Sequence, residues 1–411
     1  MESNVTQIHS AGRRGSNSAA SAPVPVLRPR RHGMDYMLFL TVVAICAFGI
    51  VMLFSASYYY AQSSQGDGYY YVKKQLLFLA VGIPLMFALS FVDYKFYRRF
   101  ARPAYLLIIA LLIAVLLFGK NLQGGQRWLK IGPVQFQPSE LAKFIIVICM
   151  AKYMTDNHEH MTSFLRGFLP MVLLIIVPGL LIYFQPNLSM LIILCIVFAV
   201  MLFIGGVDLK LLAILFCVGI AGVIVLIFVK SYRAGRFIAW LDPWSYSGKE
   251  SYQIIQSMYA FGNGGWFGQG LDASRQKLLF LPYRESDFIL SIIAEELGFV
   301  TVLLLLLAYC FVIYRGIRIA LSVRDRFASL VAAGFSTILA VQVAVNVAVV
   351  TNSIPATGQT LPFISAGGTS LIIFLAGIGV LLNISRYTEP RKSRGGSYDK
   401  NTKQKESSSR A

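Results

Sequence analysis

Ten long apolar runs constrain the fold of this 411-residue chain more than any other feature. The runs lie at about 37–57, 75–92, 104–119, 139–153, 167–184, 188–204, 209–230, 287–314, 327–350 and 368–385. A helix that crosses a membrane needs about 20 mostly apolar residues. Because 56% of the residues are hydrophobic and only 14% are charged, a soluble globule would lack the polar residues to cover its surface. We therefore predict an all-α polytopic membrane protein with about ten transmembrane helices.

The basic residues indicate how these spans are oriented. The chain has 37 lysines and arginines against 19 acidic residues, which gives a net charge of +18. Lysine and arginine accumulate on the cytoplasmic side of membrane proteins, and roughly two thirds of them lie on the side that both termini share. We expect both termini in the cytoplasm, and no nucleic acid partner. The predicted domains are a disordered basic tail over 1–33, a membrane domain over 34–388 and a second disordered basic tail over 389–411.

Two connections on the outer side are long, at about 120–138 and, between spans seven and eight, at about 231–286. The second connection contains Trp240, Trp244 and Trp266, which are three of the four tryptophans. Tryptophan at the end of a span can mark only the membrane interface, and this alternative stays open for Trp240 and Trp244. Loops of this length in compact proteins are usually functional or disordered. The aromatic composition favours a functional loop.

Ionisable residues within or beside spans are costly and therefore indicate function. Glu140 and Lys143 lie three apart at a helix start and share one face. They indicate either a polar patch that lines an outward-facing cavity or an internal ion pair in a helix capped by Ser139. Gln342 and Asn346, four apart in the ninth span, are typical of hydrogen bonds between helices.

The second group of ionisable residues follows the long connection. Asp287, Ser291 and Glu295 are spaced by four, so they lie along one face of a helix, with Glu295 about 12 Å deeper than Asp287. A partly desolvated aspartate at the mouth of a span is suited to act as a general base. The alternative is that Asp287 only caps the helix that follows it. One of Glu295 and Glu296 is expected to pair with a basic residue inside the bundle.

Basic residues at the same mouth are suited to bind phosphate or pyrophosphate; they are Arg127, Lys130, Lys277 and Arg284. A nucleotide-driven pump is not indicated, because the chain lacks a Walker loop. The pattern suits a substrate with a lipid tail in the bilayer and a polar head outside it. These physical arguments do not separate a transferase from a flippase.

Four motifs resemble the signatures of the SEDS family (shape, elongation, division and sporulation). They are Gln137–Lys143, Gln276–Pro282 leading into Glu285–Phe288, Ala294–Gly298, and Leu361–Ser370. The resemblance covers residues 34–388, and the pair Gln276 and Lys277 is closer to the FtsW-like type of division and sporulation than to the RodA-like type of elongation. Two positions depart from the family pattern, because Ser286 replaces the usual threonine and Ala366 a frequent tyrosine.

The resemblance implies a peptidoglycan glycosyltransferase of the bacterial cytoplasmic membrane, with an outward-facing active site. It implies that lipid II is polymerised through inverting β-1,4 transfer, in septal or spore cell-wall synthesis, and that undecaprenyl pyrophosphate leaves. Asp287 matches the essential acidic position of the family, and we expect it to be the general base. Glu140 and Lys143 match the polar pair of the family's central cavity. We add Glu295 to the cavity, and Arg127, Lys277 and Arg284 as pyrophosphate contacts on grounds of charge and position.

The resemblance also implies partners. The family works with a class B penicillin-binding transpeptidase that has a single span, and other divisome or cell-wall membrane proteins are expected partners. A divalent cation such as Mg²⁺ would suit the leaving group, although the sequence has no ligand cluster for one. Two alternative functions stay open. A lipid II flippase would be expected to show internal repeats with interrupted helices, and a non-catalytic division scaffold would have no need of buried charges.

Overall fold

The computed structural model describes residues 33–122, 125–131, 134–228, 231–248 and 251–388. Within these ranges the chain forms twelve α-helices and three short β-strands. The helices are α1 (Tyr36–Gln65), α2 (Tyr70–Leu89), α3 (Tyr94–Phe118), α4 (Pro138–Asp156), α5 (Leu169–Phe184), α6 (Leu188–Gly205), α7 (Leu209–Phe228), α8 (Ser231–Leu241), α9 (Tyr252–Gly264), α10 (Ile289–Ser322), α11 (Arg326–Val350) and α12 (Thr369–Ser385). The strands are β1 (Lys120–Leu122), β2 (Gly125–Ile131) and β3 (Val134–Phe136). Apart from Gly33, the two predicted tails lie outside the described residues.

Within the described residues, helix covers most of each of the ten predicted apolar segments, which confirms the polytopic all-α architecture. Eight helical segments in the described part of the chain are long and apolar enough to cross a membrane, and α5 reaches this length with the π-helical turn that precedes it. The other two predicted spans are α4, which carries four charged residues, and α12, which has 17 residues. The connection between α7 and α10 contains α8 and α9, so it is a folded segment.

A three-stranded sheet in the connection between α3 and α4 was not predicted. Strand β2 pairs antiparallel with both β1 and β3, and its register with β3 sets Leu129 opposite Phe136. The strands are short and follow one another directly, so they form a meander that hydrogen-bonds locally. We call the end of the bundle that carries this sheet and the connection between α7 and α10 the loop end.

Side-chain caps define where several of the long helices begin. Asp35, Asp93, Asn187 and Asp325 each accept a hydrogen bond from a backbone N–H two or three residues further on. Such caps satisfy N–H groups that have no partner inside the helix. The prediction that Ser139 caps α4 is wrong. It lies inside the helix, because the proline before it occupies the first helical position.

The helices differ in how deeply they are enclosed. More than half of the most apolar part of α11 is buried inside the protein, whereas that part of α7 has no buried residue. Helix α11 packs against α4, α6 and α10, and α12 packs mainly against α2. Helix α7 contacts α6 and α8 at the periphery of the bundle. The inner helices are therefore the ones that hold side chains in fixed positions.

Polar contacts join several helices at the end of the bundle opposite the loop end. The guanidinium of Arg315 in α10 lies 2.6 Å from the carboxylate of Asp35, and the Asp35 N–H donates to Ser385 Oγ at 3.0 Å. The N–H of Tyr94 donates to Asn383 Oδ1 at 3.0 Å. Both ends of the described chain therefore lie at the same end of the bundle, as the predicted topology requires.

Helix α10 is interrupted at Gly298, and a loop replaces the lost hydrogen bonds. Gly298 has φ +76° and ψ 178°, which is not helical. The N–H groups of Phe299 and Val300 donate to Gly265 O and Trp266 O at 2.9 and 3.1 Å. On the other side of the break, the carbonyl oxygens of Glu295 and Glu296 accept hydrogen bonds from the N–H groups of Gln269 and Gly270. The break in α10 therefore holds the segment 265–270 against the helix.

Substitution of Gly298 by alanine is expected to destabilise the protein. A Cβ at this position would lie 2.4 Å from Gly268 N, and L-residues rarely adopt a φ of +76°. Strain of this kind costs about 2 kcal/mol or more. Thermal unfolding of the purified protein in detergent measures the loss. Gly219→Ala in α7 is the matched control, because its Cβ would meet no atom within 4 Å. Equal melting temperatures of the two variants would contradict the prediction.

Candidate active site

Asp287 lies in a short segment at the loop end that distant residues hold in place. Ser365 Oγ donates to Ser286 O at 2.5 Å, and Asn346 Nδ2 donates to Asp287 O at 2.9 Å. The N–H of Ala366 donates at 2.9 Å to the carbonyl oxygen two residues before Asp287. The sequence motifs around 285–288 and 361–370 therefore meet in space. These contacts fix the backbone of the segment and do not involve the Asp287 carboxylate.

The Asp287 side chain does not cap α10. The helix begins at Ile289, Phe288 occupies the N-cap position, and no side chain caps this end. The alternative that Asp287 serves only as a helix cap is therefore wrong. The backbone of Gly358 lies close to the carboxylate, since an added Cβ at Gly358 would be 3.4 Å from Asp287 Oδ2.

The Asp287 carboxyl is partly buried, and this burial raises its pKa to about 6. A hydrogen bond with Ser286 and the charges of Arg127 and Arg236 act in the opposite direction, while the neighbouring Glu285 raises the pKa further. Removal from water is the largest of these effects. A carboxyl with this pKa is largely ionised at neutral pH and is still basic enough to accept a proton.

Two arginines from different elements interact electrostatically with the Asp287 carboxylate. Arg127 in β2 donates from Nη2 to Pro186 O, and Arg236 in α8 donates from Nη1 to Ala356 O at 3.5 Å. The position of Arg127 at this site agrees with its predicted place at the mouth. Sequence reasoning missed Arg236. The amphipathic pattern of α8, with its basic residues three apart, was the signal that could have found it.

Glu140 and Lys143 form the internal ion pair that their spacing predicted. Lys143 Nζ lies 2.9 Å from Glu140 Oε2 and donates to Gln342 Oε1 at 2.6 Å. Ser370 Oγ donates to Glu140 Oε2 at 3.1 Å. Both charged side chains are buried, 5% and 0% exposed, and the contact with Gln342 confirms the predicted hydrogen bond between helices. A role for the pair in lining a cavity stays a prediction.

Glu296 has the basic partner that was expected inside the bundle. Lys277 Nζ lies 2.8 Å from Glu296 Oε1, and Ser55 Oγ donates to the same carboxylate at 2.7 Å. Lys277 also pairs with Asp272. Its ammonium group is buried and in contact with two carboxylates, so the structure places Lys277 in an internal ion pair that joins the connection to α10. Its predicted contact with pyrophosphate stays a prediction.

Glu295 holds the turn that leads towards Lys277. Its carboxylate accepts hydrogen bonds from Ser274 Oγ, from the N–H groups of Arg275 and Gln276 at 3.3 and 3.2 Å, and from Asn263 Nδ2 at 3.2 Å. Protein donors therefore surround this carboxylate, which stabilises the turn. The predicted role of Glu295 as a cavity residue stays a prediction.

Arg284 is the third predicted pyrophosphate contact, and it is buried. Its guanidinium lies over the ring of Tyr60 at 4.8 Å from the ring centroid. Burial lowers the pKa of the Arg284 guanidinium, and it raises the pKa of the adjacent Glu285 carboxyl. The two adjacent side chains are thus buried and of opposite charge, and they lie beside aromatic residues at the ends of α1 and α2.

The described side chains near Asp287 do not form a set of ligands for a divalent cation. Among the residues that the structure describes, no group of three or more histidine, cysteine, aspartate or glutamate side chains is placed to hold a metal ion. Glu140 and Glu296 are paired with lysines, and Glu295 accepts four hydrogen bonds. The residues described here therefore do not fit a metal held by the protein alone.

Comparison with known proteins agrees with this arrangement. A family model of cell cycle proteins that groups FtsW, RodA and SpoVE matches residues 35–390. The chain belongs to this family. Stage V sporulation protein E of Bacillus subtilis is 38% identical over 356 residues, which are 86% of this chain and 97% of that protein. A probable peptidoglycan glycosyltransferase FtsW of Trichlorobacter lovleyi is 40% identical over 354 residues, which are 85% of this chain and 93% of that protein.

Solved structures of the family share the fold. A chain of a peptidoglycan synthase complex that coordinates polymerization and crosslinking superposes with a TM-score of 0.71 at 30% identity, covering 86% of this chain and 98% of that chain. The rod shape determining protein RodA of Thermus thermophilus gives a TM-score of 0.65 at 29% identity, covering 87% of this chain and 98% of that chain. The arrangement of helices described above is therefore that of the FtsW/RodA/SpoVE family.

Removal of one partner of the Lys277–Glu296 pair is expected to destabilise the protein strongly. Lys277→Met leaves a buried carboxylate without its ammonium partner, which costs about 3–5 kcal/mol. The double substitution Lys277→Met with Glu296→Leu should recover most of that loss. Thermal unfolding in detergent measures both. Lys73→Met is the matched control, since Lys73 forms an exposed pair with Asp67 and should change stability by about 1 kcal/mol or less. A Lys277→Met variant as stable as this control would refute the structural role of the pair.

Proposed function

We propose that this protein is a peptidoglycan glycosyltransferase that polymerises lipid II. The names of its FtsW relatives support the reaction class, and the RodA-like fold supports a membrane-embedded site. One observation carries the assignment of the catalytic residue. Asp287 has a carboxyl that caps no helix and has a pKa raised to about 6, on a backbone fixed by Ser365 and Asn346.

In the proposed reaction Asp287 is the general base. Its carboxylate takes the proton of the acceptor sugar hydroxyl, and the hydroxyl oxygen forms a bond to the anomeric carbon of the donor. The bond between that carbon and the phosphate oxygen breaks, and undecaprenyl pyrophosphate leaves with the electron pair. Attack from the face opposite the leaving group inverts the anomeric configuration and gives a β-1,4 link.

The cations near Asp287 are proposed to stabilise the leaving group. Arg127 and Arg236 carry charge to this site from β2 and α8, and arginine binds phosphate oxygens through paired N–H donors. Charge that develops on the pyrophosphate as the bond breaks is best stabilised by groups already fixed in position. Both guanidinium groups are held by backbone carbonyls, Pro186 O and Ala356 O, which supports this role.

We propose that the loop end faces the outside of the cytoplasmic membrane. The surplus of lysine and arginine on the side of the termini supports this orientation. Both described chain ends lie opposite the loop end, so cytoplasmic termini put Asp287 on the outer side. In this orientation the polar part of a lipid-linked sugar meets Asp287 while its tail stays in the bilayer.

A class B penicillin-binding transpeptidase with a single span is the proposed partner. The likeness to a chain of a peptidoglycan synthase complex that joins polymerization to crosslinking supports this pairing. Helix α7 and the outer faces of other helices present apolar surface against which a partner helix can pack. Other divisome or cell-wall membrane proteins are proposed as further partners, in septal or spore cell-wall synthesis.

Substitution of Asp287 is expected to abolish polymerisation. Asp287→Asn and Asp287→Ala remove the base and should lower the rate of glycan formation from purified lipid II by about 10²- to 10⁴-fold. Asp208→Asn is the matched control, because Asp208 is exposed at the opposite end of the bundle and asparagine also caps a helix. Gel analysis of glycan chains measures each rate.

The same assay separates the alternatives. Glycan chains formed equally well by Asp287→Asn would refute the assignment of the base. If the wild-type protein makes no glycan even with the transpeptidase present, but carries lipid II across liposome membranes, the flippase alternative is correct. If it does neither, the scaffold alternative gains support.

The polymerisation rate is expected to fall in acid with a midpoint near pH 6. Only the deprotonated carboxylate accepts a proton, so kcat/KM should drop about tenfold per pH unit below the pKa and level off above it. Arg236→Gln should move the midpoint upward, because the Arg236 charge lowers the pKa of Asp287. Initial rates with lipid II between pH 5 and 8 measure both effects. A rate that is constant between pH 5 and 7 would contradict the proposed base.

A further inference from the structure

Arg284 and Glu285 present buried polar atoms that have no partner in the protein. Their side chains are 3% and 8% exposed. Arg284 Nε, Arg284 Nη1 and Glu285 Oε2 each lack a hydrogen-bond partner. Buried donors and acceptors are nearly always paired, so unpaired ones call for an explanation. Here two donors and one acceptor occur on adjacent residues, which indicates a ligand that both accepts and donates hydrogen bonds.

Two tyrosine rings lie beside this pair. The Arg284 guanidinium lies 4.8 Å from the ring centroid of Tyr60, and the rings of Tyr60 and Tyr71 stack with centroids 6.1 Å apart. Tyr71 interacts electrostatically with both Arg284 and Glu285. Tyr70 continues this group of rings, because its ring meets that of Tyr71 edge-on with centroids 5.3 Å apart. Tyr60, Tyr70 and Tyr71 are each partly exposed, so the buried polar atoms lie beside rings that reach the surface of the loop end.

A sugar ring fits this chemistry better than a phosphate group. Each sugar hydroxyl both donates and accepts a hydrogen bond, so it can accept from Arg284 and donate to Glu285. The apolar C–H face of a pyranose ring can pack against a tyrosine ring, as apolar groups do in aromatic-lined pockets. A phosphate would be attracted by Arg284 but repelled by the carboxylate beside it. The neighbouring negative charge therefore selects an uncharged ligand.

We propose that Arg284, Glu285 and Tyr60 form a binding site for a pyranose ring of the glycan strand. The proposal rests on the proposed glycosyltransferase function. In it Arg284 binds a sugar, and the residues that bind pyrophosphate are Arg127 and Arg236. Arg284 lies three residues before Asp287, which limits their Cα atoms to about 11 Å apart. A sugar at this site therefore lies close to Asp287, and the partly exposed rings of Tyr60, Tyr70 and Tyr71 connect the site to the surface.

Direct binding of a lipid-free sugar tests the proposal. The probe is a β-1,4-linked tetrasaccharide of N-acetylated hexosamines, titrated into the full-length protein in detergent and measured by calorimetry. Tyr60→Leu removes the aromatic face and Glu285→Ala removes the acceptor, and each should weaken binding about tenfold. Tyr60→Phe keeps the ring and should retain most of the affinity. Tyr259→Leu is the matched control, because Tyr259 is an exposed tyrosine elsewhere at the loop end.

Inorganic pyrophosphate is the second probe, and it gives the opposite expectation for one variant. Glu285→Ala removes a negative charge, so it should weaken the tetrasaccharide and leave pyrophosphate binding equal or tighter. The proposal is overturned if wild-type protein does not bind the tetrasaccharide, or if Tyr60→Leu and Glu285→Ala both bind it as tightly as Tyr259→Leu does. Arg284→Lys replaces Tyr60→Leu if that variant does not fold. The proposal is also overturned if Arg284→Lys weakens the binding of pyrophosphate but not that of the tetrasaccharide. A failure of Asp287→Asn to reduce polymerisation would refute the base and leave these binding results intact.

Discussion

The interruption of α10 at Gly298 is the feature on which the loop end depends. A helix break inside a bundle leaves N–H and C=O groups without partners, and the membrane has no water to satisfy them. The segment 265–270 supplies those partners from its own backbone. The side chains just before the break complete the arrangement, because Glu295 holds the turn at 274–276 and Glu296 pairs with Lys277. The break at Gly298 and the two glutamates before it thereby hold the part of the connection from 265 to 277 against α10.

Charge neutralisation distinguishes three buried glutamates from Asp287, the proposed base. Glu140, Glu295 and Glu296 are each satisfied by a lysine or by several N–H and O–H donors. Such pairing offsets the large cost of removing a charge from water. Asp287 is different, since arginine charges act on it from a distance and burial still raises its pKa. The protein thus holds these three glutamates as structure and leaves Asp287 with the raised pKa that the proposed base requires.

Local spacing predicted those parts of the site that lie on one helix. The Glu140–Lys143 pair follows from a separation of three residues, which puts both side chains on one helical face. The same rule grouped Asp287, Ser291 and Glu295, but Asp287 lies before the start of α10 at Ile289, and the neighbours of the three residues differ. Ser291 bonds to Ser257 in α9, Glu295 to the turn at 274–276, and the Asp287 backbone to Asn346. Periodicity gives a face of a helix and not what packs on it, so Arg236 and the bracing role of Ser365 were missed.

The sequence by itself determined the positions of the apolar segments, the charges that need partners and the motifs of the family. These properties are local, because a span needs only length and apolarity, and a buried charge needs compensation wherever it lies. Only the tertiary structure decided which partner each charge has. It joined Glu296 to Lys277, brought Ser365 to the Asp287 segment, and left polar atoms of Arg284 and Glu285 unpaired beside two tyrosine rings. Those contacts link residues far apart in the chain, and their geometry follows from how the helices pack, which no local pattern encodes.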